Sequence, residues 1–432
     1  MDIKEIYKIY LKHPEISTDS RENLNNKLFF ALKGDNYNGN VFVKDALDNG
    51  AAYAIIDDKN YFIDYRTIYV DNSLSALQKL ARFHRDQFDI PFIGITGTNG
   101  KTTTKELITS VLKHKYNVLA TSGNFNNHIG VPLTILKVNR KTEIAIIEMG
   151  ANHPGEISDL CKIANPDFGV ITNIGKAHLE GFGSIDGVIK TKKELYDHLE
   201  AKNGKVFINS DNDLLKKICN AETIDYGSNS SSFISGKIVE LNPYLKLSWN
   251  TTNNAPVFEI QSNLIGKYNF ENALCAICIG KYFNVDDKKI NQAICNYIPE
   301  NNRSQIIKGG NNTIIMDCYN ANPTSMHEAL SSFSQTRTDL SKVLILGDML
   351  ELGEYKEAEH NKVIDDIKNY GFKKVFLVGK IFSGVEISDN FKSFNNNDSI
   401  IEYFKTSPLK NAFILIKGSR AMRLEKLLEY LK

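Results

Sequence analysis

Residues 91–112, PFIGITGTNGKTTTKELITSVL, set two glycines, a lysine and a run of threonines between an apolar strand pattern and a helical one. Gly97 and Gly100 allow backbone N–H groups to converge on a small anion. A helix starting near Lys101 aims its positive end at that anion. Lys101 then supplies a cation for β- and γ-phosphates, and the Thr102 hydroxyl suits Mg²⁺. Thr98, Asn99 and Thr103 complete the loop. The common spacing G-x-x-x-x-G-K-[ST] is not met, because Ile95 holds its first glycine position. Strand, loop and helix nonetheless follow in the required order, and the segment is read as a phosphate cradle.

Two further groups stand where such a cradle needs help. EIAIIEMG ends an apolar strand pattern on Glu148, and FGVITNIGKAHLEGFG ends the next on Asn173, with His178 shortly after. Sites in parallel α/β sheets lie beyond the carboxyl ends of the strands, so Glu148 and His178 are candidate metal ligands. Lys190, Lys192 and Lys193, in VIKTKKELYDHL, read on residue types alone as the solvated basic face of a helix.

The elements that must position these groups are legible as alternating patterns. EIAIIEMG, FGVITNIG and GKVFINS alternate with helical stretches after DIPFIGITG, which argues for βαβ units and a parallel sheet. Before it, short strands are expected at KLFFALKG, AAYAIID and RTIYV, with helices at VFVKDALDNG and from Leu74 to Phe88. The polar, Ser- and Asn-rich stretch from Ile224 to Ile265 reads as antiparallel strands and loops attached to the central domain. A helix at NFENALCAICIGKYF precedes a third alternating block with strands NTIIMDCY, KVLILGD, KVFLVG and AFILIKGS. Three α/β domains are therefore expected, over 1–86, 87–300 and 301–432, the second boundary lying near Pro299 to Asn302.

Composition narrows the class. Of 432 residues, 42% are apolar and 24% charged, and the net charge of +1 implies no general attraction to nucleic acid or anionic membrane. MDIKEIYKIYLKHPEISTDSRENL has no signal-peptide pattern, and no apolar run is long enough to span a bilayer, so a cytoplasmic protein is expected. Six cysteines sit mostly in apolar runs and read as buried thiols; Cys275-x-x-Cys278 has no second pair for a metal.

Taken together, GITGTNGKTTT, EMGANHPGEI, TNIGKAHLEGFGS and KTKKEL resemble the ATP-dependent Mur ligase superfamily, and the resemblance spans essentially the whole chain. It implies an N-terminal α/β uridine-nucleotide-binding domain, a central P-loop ATPase-type parallel sheet with a small antiparallel sheet, and a C-terminal Rossmann-like domain. The implied cosubstrate is ATP with two Mg²⁺ ions, held partly by Thr102, Glu148 and His178. Lys192 matches the family's lysine carboxylated by CO₂, a carbamate supporting the second ion. Asn272, in GKYNFENALCA, is implied in adenine recognition, while Arg303 and Asp317 are implied in nucleotide contacts from the third domain.

The same resemblance suggests which member of the superfamily this is. STDSRENLNNKLFFALKGDNYNGN is similar to a uridine-site pattern and implicates Ser20, Arg21 and Lys33; Asn25 and Asn26 depart from it at middle glycine and valine positions. TSGNFNNHIGVP implicates Asn126 and Asn127, and DCYNANPTSM implicates Asn320 and Asn322. With LILGDMLELGE these motifs imply ligation of D-alanyl-D-alanine to UDP-N-acetylmuramoyl-tripeptide, with catalysis resting on Lys101, Glu148, His178 and Lys192. A monomer is expected. A folylpolyglutamate synthase shares the central and third domains, but the uridine-type N-terminus argues against it.

Overall fold

The computed structural model describes residues 2–251, 255–388 and 390–432. Its strands form three main sheets in chain order, giving a mixed α/β protein. The first sheet is parallel and four-stranded, in the order Ile16–Ser17, Leu28–Phe30, Tyr53–Ile56, Thr67–Tyr69. Asn26, one of the two departures from the uridine-site pattern, has φ +62°, a left-handed conformation that Asn tolerates better than most residues.

The second sheet has nine strands and carries the phosphate loop. Phe92–Thr96 lies between Phe168–Ile171 and Ile144–Glu148, with parallel pairing on both sides. These strands are apolar up to their carboxyl ends, where Thr96 and Glu148 stand, because helices cover both faces. Side chains alternate between two cores: Phe92, Ala145 and Ile147 pack in one, and Ile93, Ile95, Ile144 and Ile146 in the other. The antiparallel strands expected between Ile224 and Ile265 are Ile234–Leu241, Tyr244–Asn250 and Phe258–Ile265. They continue the parallel sheet through a two-pair parallel junction at Tyr226↔Ile234 and Gly227↔Ser235. Residues 252–254 of that stretch lie outside the described residues.

The third sheet has six strands, from Gln305–Gly309 to Phe391–Phe394, parallel except for its first edge strand. Asn312–Asp317 and Ala412–Lys417 run side by side so that Asp317 and Lys417 end in register at the carboxyl edge.

Helix Ser73–Arg85 fixes the first sheet to the second. Gln78 donates to the His128 carbonyl at 3.1 Å, Arg82 to that of Lys162 at 2.6 Å, and Arg85 reaches Asp167 at 2.9 Å. Its buried stripe, Ala76, Leu77, Leu80 and Ala81, shares one continuous core with strands of both sheets.

Candidate active site

The carboxyl edge of Phe92–Thr96 turns directly into the loop. Gly97 has φ +143° and Gly100 φ +77°, both in the region that disfavours L side chains. Space forbids a side chain as well: a Cβ on Gly97 would sit 2.0 Å from Thr172 Oγ1, and one on Gly100 would sit 2.7 Å from Asn272 Oδ1. Neighbouring strand ends clamp the loop. Thr98 N–H donates to the Asn173 carbonyl and Asn99 N–H to Asn173 Oδ1, each at 2.9 Å. Thr172 Oγ1 donates to the Asn99 carbonyl at 2.6 Å. Helix Lys101–Leu112 begins at the end of this loop, as the sequence led one to expect.

Around the loop opens a cleft of about 1110 Å³ lined from all three sheets' surroundings. It brings together Gly97, Thr98, Asn99, Gly100, Lys101, Thr102, Thr103, Asn126, Asn127, Glu148, His178, Lys192, Asn272, Arg303, Asp317, Asn320 and Asn322. Ser20, Arg21 and Lys33 are not among its lining residues. Arg21 is bound to Asp19 at 2.6 Å and Lys33 to Asp57 at 3.0 Å.

Glu148 is fully buried at its strand end, opposite Ile95 in the pairing register. Its Oε1 accepts from Thr102 Oγ1 at 3.2 Å and Asn126 Nδ2 at 2.9 Å. Oε2 has no hydrogen-bond partner, and the nearest cation is Lys105 Nζ at 3.8 Å. A buried carboxylate oxygen left bare beside a threonine hydroxyl is a donor set that suits a hard divalent cation. Thr102 and Glu148 thus fit the ion the family implies. Among the described residues no three of His, Cys, Asp and Glu converge as a metal group. His178 lines the cleft, but its Nδ1 is paired with Glu351 of the third unit.

The three lysines of the following helix divide: the solvated face read from residue types alone does not hold for Lys192, the one the resemblance set apart. Helix Ile185–Ala201 buries Val188, Thr191, Lys192, Leu195 and Leu199, one stripe at helical spacing. Lys192 falls on that stripe, Lys190 is exposed, and Lys193 is paired with Asp197. Burial, and then repulsion from Lys101, lowers the Lys192 amine to about 7. Lys101, whose Nζ donates to the Gly97 and Thr98 carbonyls at 2.7 and 3.0 Å, is lowered to about 8, chiefly by desolvation.

Asn272 lies beneath the loop with its amide committed at both ends. Its Oδ1 accepts from Thr104 at 3.0 Å and its Nδ2 donates to Asn269 at 2.9 Å. Across the cleft, Asp317 accepts from Lys417 Nζ at 2.5 Å and from the Ser304 N–H at 3.0 Å. Arg303 stacks its guanidinium 3.6 Å over the Tyr319 ring. Asn322 caps helix Pro323–Gln335 and donates to Asn99 Oδ1 at 2.8 Å, a direct bond between the third unit and the phosphate loop. Sequence reading missed Lys417, Glu328 and Glu351. Glu328 lines the cleft, and burial followed by repulsion from Glu271 raises it to about 7.

Fold and site together define a phosphate-loop α/β enzyme whose cleft is walled by successive units of one chain. The family model described as Mur ligase middle domain matches residues 95–280, and that described as Mur ligase, glutamate ligase domain matches 302–420. The UDP-N-acetylmuramoyl-tripeptide–D-alanyl-D-alanine ligase of Bacillus subtilis (strain 168) is 33% identical, covering 99% of this chain and 97% of its own. Among solved structures, MurF from Acinetobacter baumannii matches with a TM-score of 0.87 at 29% identity, over 96% of this chain and 93% of that one. MurF ligase from Thermotoga maritima, in complex with ADP, matches with a TM-score of 0.86 at 28% identity, over 97% of each chain. The chain belongs to the Mur ligase family, among relatives named UDP-N-acetylmuramoyl-tripeptide–D-alanyl-D-alanine ligase.

Proposed function

We propose that this chain is an ATP-dependent amide-forming ligase that joins D-alanyl-D-alanine to UDP-N-acetylmuramoyl-tripeptide in peptidoglycan synthesis. The observation that carries the reading is the cleft itself. One cavity joins a phosphate loop, a buried carboxylate with a bare oxygen, and a third unit bonded to the loop through Asn322–Asn99. Full-length similarity to relatives of that name supports the choice of substrates. We assign the precursor's uridine end to 1–86, including Ser20, Arg21 and Lys33, ATP to 87–300, and the dipeptide to 301–432. The reaction would run in the cytoplasm, where ATP is available, and no described helix is long and apolar enough to cross a membrane.

A carboxylate is a poor electrophile, so one oxygen of the precursor's terminal carboxylate attacks the γ-phosphorus of ATP and ADP leaves. The dipeptide amine attacks the resulting acyl phosphate, and the tetrahedral intermediate expels inorganic phosphate as the amide forms. Two Mg²⁺ ions, when bound, would neutralise phosphate charge and draw electrons from phosphorus. Thr102, Glu148, His178 and Lys192 are the residues assigned to hold them, Lys192 as a carbamate. Reaction with CO₂ requires the unprotonated amine, and the burial that lowers Lys192 to about 7 favours that form, which supports this last role.

The chain's own work is positioning and charge. Loop N–H groups and Lys101 cradle the transferred phosphate, while Asn126, held on Glu148, and Asn127 face the precursor. Arg303 and Asp317 meet the nucleotide, with Asn320 and Asn322 nearer the incoming dipeptide. Asn272 is assigned to the adenine side, where its bonds to Thr104 and Asn269 also fix the loop's seat. Phosphate release measured with ATP, precursor and dipeptide tests the reading. Release and pentapeptide formation should require all three, and release indifferent to the dipeptide would refute it.

A further inference from the structure

The segment after strand Phe168–Ile171 is docked on the third unit at several points. Lys176 N–H donates to Thr324 Oγ1 at 3.0 Å, and Lys176 Nζ reaches the buried Glu359 at 2.9 Å. Two residues on, the His178 ring pairs through Nδ1 with Glu351, and the Glu180 N–H approaches the Glu351 carbonyl at 3.4 Å. His178 (φ +49°) and Glu351 (φ +63°) both hold left-handed backbone, uncommon for residues other than Gly and Asn. Two strained residues meeting side chain to side chain across the cleft mark a contact that the surrounding structure enforces.

The chemistry of the pair fixes the ring. An ionised carboxylate only accepts hydrogen bonds, so Nδ1 is the donor, and in the neutral ring the lone pair then sits on Nε2. Among the described residues no group bonds to Nε2, and His178 lines the cleft. Histidines that bind cations commonly have their other nitrogen held by a carboxylate, which sets tautomer and ring orientation. Here that carboxylate comes from a different unit than the ring.

We propose that Glu351 is a positioning residue delivered by the third unit to His178, so that docking that unit and preparing His178 to ligate a cation are one event. This rests on the ligase reading above and on His178 as a cation ligand. Glu351 touches neither nucleotide nor reacting carboxylate and acts only through the ring.

The test is Mn²⁺ titrated onto the full chain holding ADP and bicarbonate, followed by the electron paramagnetic resonance signal of free Mn²⁺. His178→Ala and Glu351→Ala should each weaken the tightest Mn²⁺ site about 10- to 100-fold, the range for loss of such a partner. Glu351→Gln, which keeps an acceptor oxygen, should lose less than Glu351→Ala. In the His178→Ala background, Glu351→Ala should add nothing. Wild-type Mn²⁺ binding by Glu351→Ala with a weakened His178→Ala overturns the proposal alone, and so does an additive loss in the double variant. Wild-type binding by His178→Ala overturns the cation-ligand assignment, and the proposal with it. Should Glu351→Ala not fold, Glu351→Gln decides: a severalfold loss confined to chains that retain His178 supports the proposal, and its absence refutes it.

Discussion

Gly97→Ala is the sharpest single perturbation of the phosphate loop. The added Cβ would lie 2.0 Å from Thr172 Oγ1, 3.0 Å from the Thr172 nitrogen and 3.2 Å from that of Asn173. Rotating the Thr172 side chain relieves the first contact only, and at the loss of its 2.6 Å bond to the Asn99 carbonyl. The two backbone contacts remain. Alanine at φ +143° adds strain of roughly 1–3 kcal/mol, and the overpacking costs roughly 1–3 kcal/mol more. A total of about 2–6 kcal/mol is comparable with the stability of a domain, so the loop should shift before the fold yields. The assay pairs urea unfolding with binding of a fluorescent ATP analogue. Binding should fall at least tenfold while cooperative unfolding persists, and adding Thr172→Ala should recover part of the stability but little of the binding. A Gly97→Ala chain with wild-type midpoint and affinity within twofold would refute the argument that space and φ together demand glycine here.

Three further outcomes are expected. Lys101→Ala should abolish ligation with the fold intact, checked by phosphate release alongside circular dichroism; activity near wild type would remove the phosphate-loop assignment. Lys192→Met should also abolish ligation yet stabilise the fold near pH 7. The buried amine falls from its usual value of 10.5 to about 7, so between those limits the unfolded chain binds more protons and wild-type stability rises with pH. The penalty is fully present below about pH 7 and amounts to roughly 5 kcal/mol at about 1.4 per pH unit. In CO₂-free, metal-free buffer, where Lys192 is the free amine, denaturation midpoints from pH 6 to 10 should therefore slope less in Lys192→Met than in wild type, and equal slopes would contradict the burial argument. Asn322→Ala removes the 2.8 Å bond to Asn99 and one helix cap, costing about 1 kcal/mol of stability; steady-state kinetics should show a raised KM for ATP.

Much of this was legible in the residues because it is local. Apolar runs such as FIGIT and IAIIE, the glycines at 97 and 100, and the helix from Lys101 follow from periodicity and backbone freedom. Glu148 could be placed because a strand end predicts its side of the sheet. What escaped depends on long-range pairing. Lys417 meets Asp317 only because two strands a hundred residues apart run in register. Glu351 meets His178 only because the third unit is docked. Residue types alone did not separate Lys192 from its neighbours Lys190 and Lys193, since a charged residue on a helical stripe reads as surface; the family resemblance singled it out. The antiparallel strands were visible, but their continuity with the main sheet rests on two residue pairs that no pattern announces.

The central claim, that ATP activates the precursor's carboxylate as an acyl phosphate, is tested most directly by isotope transfer. Precursor labelled with ¹⁸O in its terminal carboxylate is turned over with ATP and D-alanyl-D-alanine, and the released phosphate is analysed by mass spectrometry. One carboxylate oxygen bridges carbon and phosphorus in the acyl phosphate and leaves with phosphorus when the amide forms. Each phosphate should therefore carry one labelled oxygen, and the new amide should retain the other. Phosphate free of label, at a stoichiometry of one per amide formed, would contradict the account.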